Sequence, residues 1–369
     1  MPHSATVRLA TEHDLEALVQ LEEAAFRSDR FSEDSINYLL TRSRATTLVI
    51  EENGVVVGSA CVLWRRSYQA ARLYNIAINP NRQGKGYGAV LMDECELEAA
   101  RRGCAVMTLE VRKDNVGAIK FYERRGYVFK RMLPEYYEDG SAGLKMAKVL
   151  DLEVPDKIKL TVPYHAQMMD FTCGPACLMM ALKYFNPDTD FSEALELRLW
   201  KEATLIFMAA GFGGAEGYGL ALAAASRGLQ CHRVTSMDTT PMLRSVRAAS
   251  KREVMKIVHT DMKKRAFKAG VSAAMYEYGV DEIVSGLHRG LLPIAMISTY
   301  RLTGDKTPHW VVVTGFDRDH VYIHDSDLDS YKTSTYKARN IKVKRSEFLR
   351  MSRYGKEVYR CLLLLGRPT

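Results

Sequence analysis

Cys173 opens the segment Cys173-Gly174-Pro175-Ala176-Cys177, which runs directly into the apolar stretch Leu178-Met179-Met180-Ala181-Leu182. The pattern predicts a helix with Cys173 at or just before its first turn, where unpaired N–H groups and the helix dipole favour a thiolate. A catalytic thiolate needs a base to share its proton and a third group to orient that base. His309 opens the strand-like run His309-Trp310-Val311-Val312-Val313, and Asp325 closes the next one, Val321-Tyr322-Ile323-His324-Asp325. Adjacent antiparallel strands bring the start of one beside the end of the next, so a Cys–His–Asp set can assemble. Gln167 precedes Cys173 closely enough for its amide and the Cys173 N–H to face one carbonyl oxygen as an oxyanion hole. Singly, each residue has a plainer use, the cysteine as a small buried group and the histidine as a packed one. The ordered set of four points to acyl chemistry on sulfur. Cys177, one helical turn on, is expected to pack inward.

The segment Arg82-Gln83-Gly84-Lys85-Gly86-Tyr87-Gly88 lies between a strand-like and a helix-like stretch. Glycines there let backbone N–H groups turn toward one anion, and the following helix N-terminus adds partial positive charge, so a pyrophosphate would fit. A tight turn needing glycine for steric reasons alone would read the same way.

The surrounding order narrows that choice: Leu73-Tyr74-Asn75-Ile76-Ala77-Ile78-Asn79-Pro80 before the loop, then Leu109-Glu110-Val111-Arg112, Asn115, Ala118, Phe121, Tyr122 and Gly126 after it. Residues 5–149 resemble the GNAT superfamily, most closely the ribosomal-protein N-terminal alanine acetyltransferases. The resemblance implies acetyl-CoA as acyl donor and a peptide or protein amine as acceptor. Its pantetheine would lie on the backbone of Ile76, Ala77 and Ile78, its pyrophosphate on Gln83, Gly84, Lys85, Gly86, Tyr87 and Gly88, with Asn115 also on the cofactor side. Glu110 corresponds to the family's general base, acting through water, and Tyr122 to the acid that protonates the CoA sulfur. Tyr136 and Tyr137 either line the acceptor site or form an aromatic pair in a hairpin turn.

Gln167, Cys173-Gly174-Pro175-Ala176, His309-Trp310-Val311-Val312 and Asp325 resemble the bacteriocin-processing leader peptidases, papain-like enzymes that cut after double-glycine leaders. The match spans 160–330. Residues 183–290 depart from it, so double-glycine specificity does not carry over. An acyl transferase or cyclase would use the same thioester intermediate, and a peptide-binding module recruiting acetylation substrates would keep the fold without the chemistry.

These motifs ask for two domains. A chain of 369 residues exceeds what one hydrophobic core comfortably fills. Residues 1–150 alternate strand-like and helix-like segments, an α/β pattern, with a linker expected at 150–163 around Pro155 and Pro163. Strand-like runs at 46–51 and 55–64 flank the turn Glu52-Asn53-Gly54, another follows at 71–79, and helices are expected at 88–102 and 115–125. Residues 151–369 read as helices to about 290 and strands after it, an α+β pattern with helices on one face of an antiparallel sheet. The glycines from Ala209 to Gly219 lack a G-K-[ST] ending and suggest a flexible or groove-lining loop.

Composition supports ordinary globular folding, with 47% hydrophobic and 26% charged residues. Seven scattered cysteines favour reduced thiols over a disulfide framework, and the paired spacing of zinc sites is missing, so no metal is expected. No apolar run reaches membrane-spanning length and no secretion signal is apparent, which leads to an expectation of a cytoplasmic protein without membrane partners. A net charge of +8, concentrated at 244–268 and 338–353, reads as solvated helix faces. No nucleic-acid motif accompanies it, so no nucleic-acid partner is expected.

Overall fold

The computed structural model describes residues 5–26, 29–64, 70–206, 213–304, 307–331, 338–355 and 357–368. They form two compact units, Met1–Val154 and Pro155–Thr369. No helix among the described residues is long and apolar enough to cross a membrane.

The first unit begins with β1 (Ala5–Leu9), α1 (Leu15–Ala25), α2 (Glu33–Thr41), β2 (Ala45–Glu52), β3 (Val55–Trp64) and β4 (Ala70–Ile78). It continues with α3 (Tyr87–Arg101), β5 (Val106–Arg112), α4 (Val116–Arg124), β6 (Val128–Leu133) and β7 (Gly143–Val149). The seven strands form one sheet in the order β1-β2-β3-β4-β5-β7-β6. Asn53 and Gly54 both take positive φ, 55° and 76°, the conformation a two-residue hairpin turn demands between β2 and β3. Leu48 and Ile50 point to the core beneath α3, whose Leu91, Met92, Cys95 and Ala99 recur at helical spacing. Val49, between them, points to the opposite core with Leu18 of α1 and Ile36 of α2. Helices therefore cover both faces. Ser32 caps α2 by accepting the Ser35 N–H, which starts a helix that the sequence reading passed over.

The second unit runs β8 (Ile158–Lys159), α5 (Cys173–Phe185), α6 (Glu193–Ala203), α7 (Gly217–Ala225), β9 (Gln230–Thr235), α8 (Ala249–Lys268) and β10 (Ser272–Met275). Then come α9 (Val280–His288), β11 (Leu292–Ser298), α10 (Tyr300–Thr303), β12 (Pro308–Phe316), β13 (His320–Asp325), β14 (Ile341–Lys344), α11 (Arg345–Met351) and β15 (Cys361–Gly366). The sheet order is β10-β9-β15-β11-β12-β13-β14, with β8 pairing on β12.

Two expectations are corrected here. β9 and β10 lie inside the stretch expected to be helical, and they pair parallel in an otherwise antiparallel sheet. Helices also cover both faces of that sheet, where cover on one face was expected. Ile294, Met296, Val312, Leu363 and Leu365 face the core of α5–α8, while Ala295, Ile297, Val311, Val313, Leu362 and Leu364 face α9 and α11. Burial on both faces erases the two-residue alternation that marks a strand.

The glycine-rich stretch also differs from expectation from Gly217 onward, while Gly211 lies outside the described residues. Gly217 and Gly219 belong to α7. A Cβ on Gly219 would lie 2.6 Å from the Ala203 Cα, and one on Gly217 would lie 2.7 Å from the Cys361 sulfur. These glycines let α7 pack backbone-close on the end of α6 and on β15.

Candidate functional sites

In the second unit, α5 begins at Cys173, as its N-terminal residue, after a Thr172 cap. One close approach ties this helix to the sheet, and a second holds the tryptophan it meets. Cys177 donates its thiol hydrogen to the Trp310 carbonyl at 3.2 Å, and the Trp310 indole N–H bonds the Ala215 carbonyl at 3.1 Å. Burial pushes the Cys177 thiol pKa well up, which keeps it neutral beside that carbonyl.

β12 brings His309 to the same place. Val311 pairs with Asp325 across β12 and β13, so Asp325 stands diagonally from His309, within side-chain reach. The His309 Nε2 lies 2.6 Å from Asp325 Oδ1, and both side chains are buried. The Cys173 side chain lies close enough to the ring to help hold its proton. With Nε2 turned to the carboxylate, Nδ1 is the ring atom left for sulfur. Burial disfavours a charged ring, but Asp325 and Cys173 outweigh it and hold the His309 pKa well above the ordinary imidazole range. The structure thus gathers a thiol and a carboxylate around one buried imidazole, which is hydrogen-bonded to the carboxylate.

Gln167 lies in the segment leading into α5. Its N–H bonds the Ser326 carbonyl at 2.8 Å, and its Oε1 accepts the Ser326 hydroxyl at 2.8 Å. Its amide Nε2 donates to the Met169 carbonyl at 3.0 Å, which uses one of two hydrogens. His324, next to Asp325, is turned elsewhere: Nε2 meets the Val162 carbonyl at 3.1 Å and Nδ1 accepts the Asn340 N–H at 2.9 Å. Its pKa is lowered, by burial first, and it serves as a neutral strut.

In the first unit, the parallel ladder between β4 and β5 runs from Ala70–Val106 to Leu73–Leu109 and ends there, although both strands continue. A bulge pairs Cys61 with Asn75 but Val62 with Leu73, making Tyr74 the extra residue. A bulge bends its strand and redirects the residues beyond it. β4 then carries Ile76, Ala77 and Ile78 along β3, while β5 stays with β7. The two strands part at this point, leaving one backbone edge of β4 available to an extended ligand.

The loop after β4 makes a short 3-10 turn at Pro80–Arg82, then places Gly84 and Gly86 at φ of 78° and 86°. Gly86 caps α3 in that left-handed conformation. Gln83, Gly84, Lys85 and Gly86 are exposed, whereas Tyr87 is buried. The Tyr87 hydroxyl donates to Glu52 at 2.5 Å, and Lys85 and Arg82 each pair with the same carboxylate at 3.1 Å. The Tyr87 bond, then the Lys85 bond, lowers the Glu52 pKa. What this loop offers an anion is therefore mainly backbone N–H groups, with two cations held close by. A Cβ on Gly88 would make only ordinary contacts, the nearest at 3.8 Å to Ile78. Asn115 spends its side-chain oxygen on capping α4, accepting the Ala118 N–H at 3.0 Å.

Glu110 sits where the strands part and is held from both sides, by Arg72 at 2.7 Å and Lys145 at 3.1 Å. Arg72 also donates to the Tyr136 hydroxyl at 2.8 Å, and Tyr136 meets Tyr137 edge-on at 5.1 Å. Tyr122 lies on the buried side of α4, and burial holds its phenol pKa far above the ordinary value. The sequence reading missed Arg72 and Lys145. Lys145 is directly opposite Glu110 on β7, a pairing that needs the register to be seen.

Comparison with known proteins bears on both units. A family model described as Peptidase_C39 like family matches residues 162–366, and one described as Acetyltransferase (GNAT) family matches residues 14–127. An uncharacterised N-acetyltransferase of Methanocaldococcus jannaschii is 30% identical over 143 residues, covering 38% of this chain and 90% of that relative. The L-methionine sulfoximine/L-methionine sulfone acetyltransferase of Salmonella typhimurium is 29% identical over 160 residues, covering 40% of this chain and 90% of the relative. Among solved structures, the ribosomal-protein-S18-alanine N-acetyltransferase of Escherichia coli aligns with 27% identity and a TM-score of 0.38, over 41% of this chain and 97% of the other.

Proposed function

The chain belongs to the Peptidase_C39 like family through residues 162–366 and to the GNAT N-acetyltransferases through its first unit, and on that footing we propose a bifunctional peptide-modifying enzyme. The second unit cleaves an amide with Cys173 as nucleophile, and the first acetylates an amine with acetyl-CoA. Cleavage creates a new α-amino group, the class of acceptor an N-acetyltransferase uses. Two activities on one chain raise the effective concentration of that amine.

The observation that carries the peptidase half is His309 set between the Cys173 thiol and the Asp325 carboxylate. Asp325 fixes the ring with Nδ1 toward sulfur and stabilises the imidazolium that forms when the thiol gives up its proton. The thiolate attacks a carbonyl, the Cys173 N–H and the Gln167 amide receive the oxyanion, and His309 returns the proton to the leaving amine. Water then hydrolyses the thioester. If an amine replaces water, the product is transferred or cyclised, and its mass lacks the added water.

In the first unit, the backbone of Ile76, Ala77 and Ile78 would receive the pantetheine, and Gln83 to Gly88 the pyrophosphate, at a helix start suited to an anion. The donor supplies an activated acetyl thioester. Glu110 takes the proton of the attacking amine through water, and Tyr122, kept protonated by burial, protonates the departing sulfur.

The test is to incubate the full chain with a cell-extract protein mixture and acetyl-CoA, reading new N-termini by mass spectrometry. New termini should vanish with Cys173→Ala and persist, unacetylated, with Tyr122→Phe. Identical termini in wild type and Cys173→Ala would end the peptidase half.

A further inference from the structure

The segment between β8 and α5 carries Gln167 and delivers Cys173, yet it has no ladder of its own beyond β8. Its shape depends on side-chain anchors. Ser326 holds Gln167 from one flank, through backbone and hydroxyl. The other flank is held through Glu196 of α6, which is 0% exposed, beside ring contacts of His165 with Phe191 and of Phe171 with Trp200. Glu196 Oε1 accepts the Met168 N–H at 2.8 Å, and Oε2 lies 2.6 Å from His165 Nε2. The Thr172 hydroxyl lies beside the same carboxylate, and it ties into Met169, giving its one hydrogen to the Met169 carbonyl at 2.8 Å and accepting the Met169 N–H at 3.1 Å. Met169 in turn accepts the Gln167 amide. One buried carboxylate thus reaches the residues on both sides of Gln167 and the cap of the helix that begins at Cys173.

We propose that Glu196 is a positioning residue that aims the Gln167 amide at the oxyanion formed when Cys173 attacks a carbonyl. The inference rests on the peptidase reading and assigns it a part that no sequence motif contains. A carboxylate suits the task because it accepts from several donors at once, where a neutral amide must spend one side as a donor. Burial raises the Glu196 pKa, but the bonds from His165 and Met168, with the Thr172 hydroxyl close by, outweigh it, and the net direction is down, so the group stays an acceptor at neutral pH.

A purely structural role would affect every reaction of Cys173, whereas a positioning role affects those that form an oxyanion. Two reagents separate them in the full-length protein. With p-nitrophenyl acetate, the Cys173 sulfur bonds to the acetyl carbon and the carbonyl oxygen becomes an oxyanion. Collapse then breaks the ester C–O bond, p-nitrophenolate leaves with the electron pair, and the thiol proton remains on His309. With iodoacetamide, sulfur bonds to carbon as iodide leaves, and no oxyanion forms. Rates are read as Cys173 modification by peptide mass, after subtraction of Cys173→Ala.

Glu196→Gln should slow acylation by about 10- to 100-fold, the scale of a displaced oxyanion donor, while alkylation stays within about twofold of wild type. Glu196→Asp keeps the charge but withdraws it by one methylene, and should show the same split at about tenfold, which covers the case where Glu196→Gln does not fold. Equal losses in both reactions, or no loss in acylation, would overturn the inference. Failure of the peptidase reading looks different: wild-type Cys173 would react with iodoacetamide no faster than free cysteine, before any variant is made.

Discussion

Gly174 is pressed against Trp310: a Cβ added to the glycine would lie 3.1 Å from the indole Cδ1, and 2.9 Å from the Ala215 Cβ behind it. This contact sets how closely the start of α5 approaches β12, and with it the meeting of Cys173 and His309. Gly174→Ala should therefore cost about 1–3 kcal/mol as an overpacking change. It should also slow alkylation of Cys173 by iodoacetamide by about tenfold, the change that follows when the Cys173–His309 interaction weakens by about 1.4 kcal/mol. Thermal unfolding and alkylation rate check it. A fall in unfolding midpoint with unchanged alkylation would mean that the helix end shifts without moving the sulfur from the ring.

Asp325 holds the His309 pKa up, with Cys173, against burial. A raised pKa means that the ring keeps its proton to higher pH, and amide cleavage needs that proton for the leaving amine. Activity should therefore fall on the alkaline side, as His309 titrates. Asp325→Asn removes a charged hydrogen bond of about 1.5–3 kcal/mol, equivalent to one or two pKa units. The alkaline limb should move down by at least about one pH unit. The measurement is the pH profile of cleavage of a peptide found in the extract experiment. A limb that stays in place would assign it to another group.

Tyr122 is raised by burial, so its phenol remains protonated throughout the working range. Acetylation of a peptide α-amine should rise as the amine loses its proton near pH 8 and show no fall before about pH 10. Tyr122→Phe should lower kcat by about 10²- to 10⁴-fold with little change in KM for acetyl-CoA. A larger change in KM than in kcat would make the tyrosine a binding group.

Gly84 and Gly86 hold φ of 78° and 86° in the proposed pyrophosphate loop, with nothing near enough to obstruct a Cβ. The cost of alanine there is conformational, roughly 1–2 kcal/mol per residue, and it falls on the loop rather than the core. Gly86→Ala should weaken CoA binding by about 5- to 30-fold, by the same conversion, while leaving the unfolding midpoint of the second unit unchanged. Calorimetric titration with CoA reads it directly. Unchanged affinity would place the phosphates elsewhere.

How much the sequence makes legible depends on how local each cue is. The Asn53-Gly54 turn and the glycine loop are local demands of backbone geometry, and Cys173, His309 and Asp325 stand at the ends of elements whose apolar runs are plain. Glu196 is silent, because Glu193-Ala194-Leu195-Glu196-Leu197 reads as an exposed helix face until the packing buries one of its two carboxylates. Arg72 and Lys145 meet Glu110 only through strand register. β15 is Cys361-Leu362-Leu363-Leu364-Leu365-Gly366, buried on both faces, and without alternation it carries no strand signature.

Arg233 is the largest such surprise, a fully buried guanidinium on β9. It stacks over Tyr218 at 3.9 Å, donates to the Tyr359 hydroxyl at 3.3 Å, and lies 3.8 Å from Glu216. Glu216 caps α7 through the N–H groups of Tyr218 and Gly219, and its other oxygen lies 3.4 Å from His259. Burial pushes the Glu216 pKa up, but His259, Arg233 and the Gly219 N–H outweigh it, so the net direction is down. A carboxylate with a depressed folded pKa stabilises the fold above its unfolded value, about 4.3, and loses that contribution as pH falls through the folded value. Arg233→Met leaves Glu216 without its fixed cation, which should cost about 3–5 kcal/mol at neutral pH. Without the arginine, only His259 and the Gly219 N–H oppose burial, so Glu216 takes up a proton at higher pH than before, which relieves the buried charge. The gap in unfolding midpoint between wild type and Arg233→Met should therefore narrow as pH drops from 7 toward about 4.5. A gap that stays constant over that range would show that Arg233 contributes packing against Tyr218 rather than charge to Glu216.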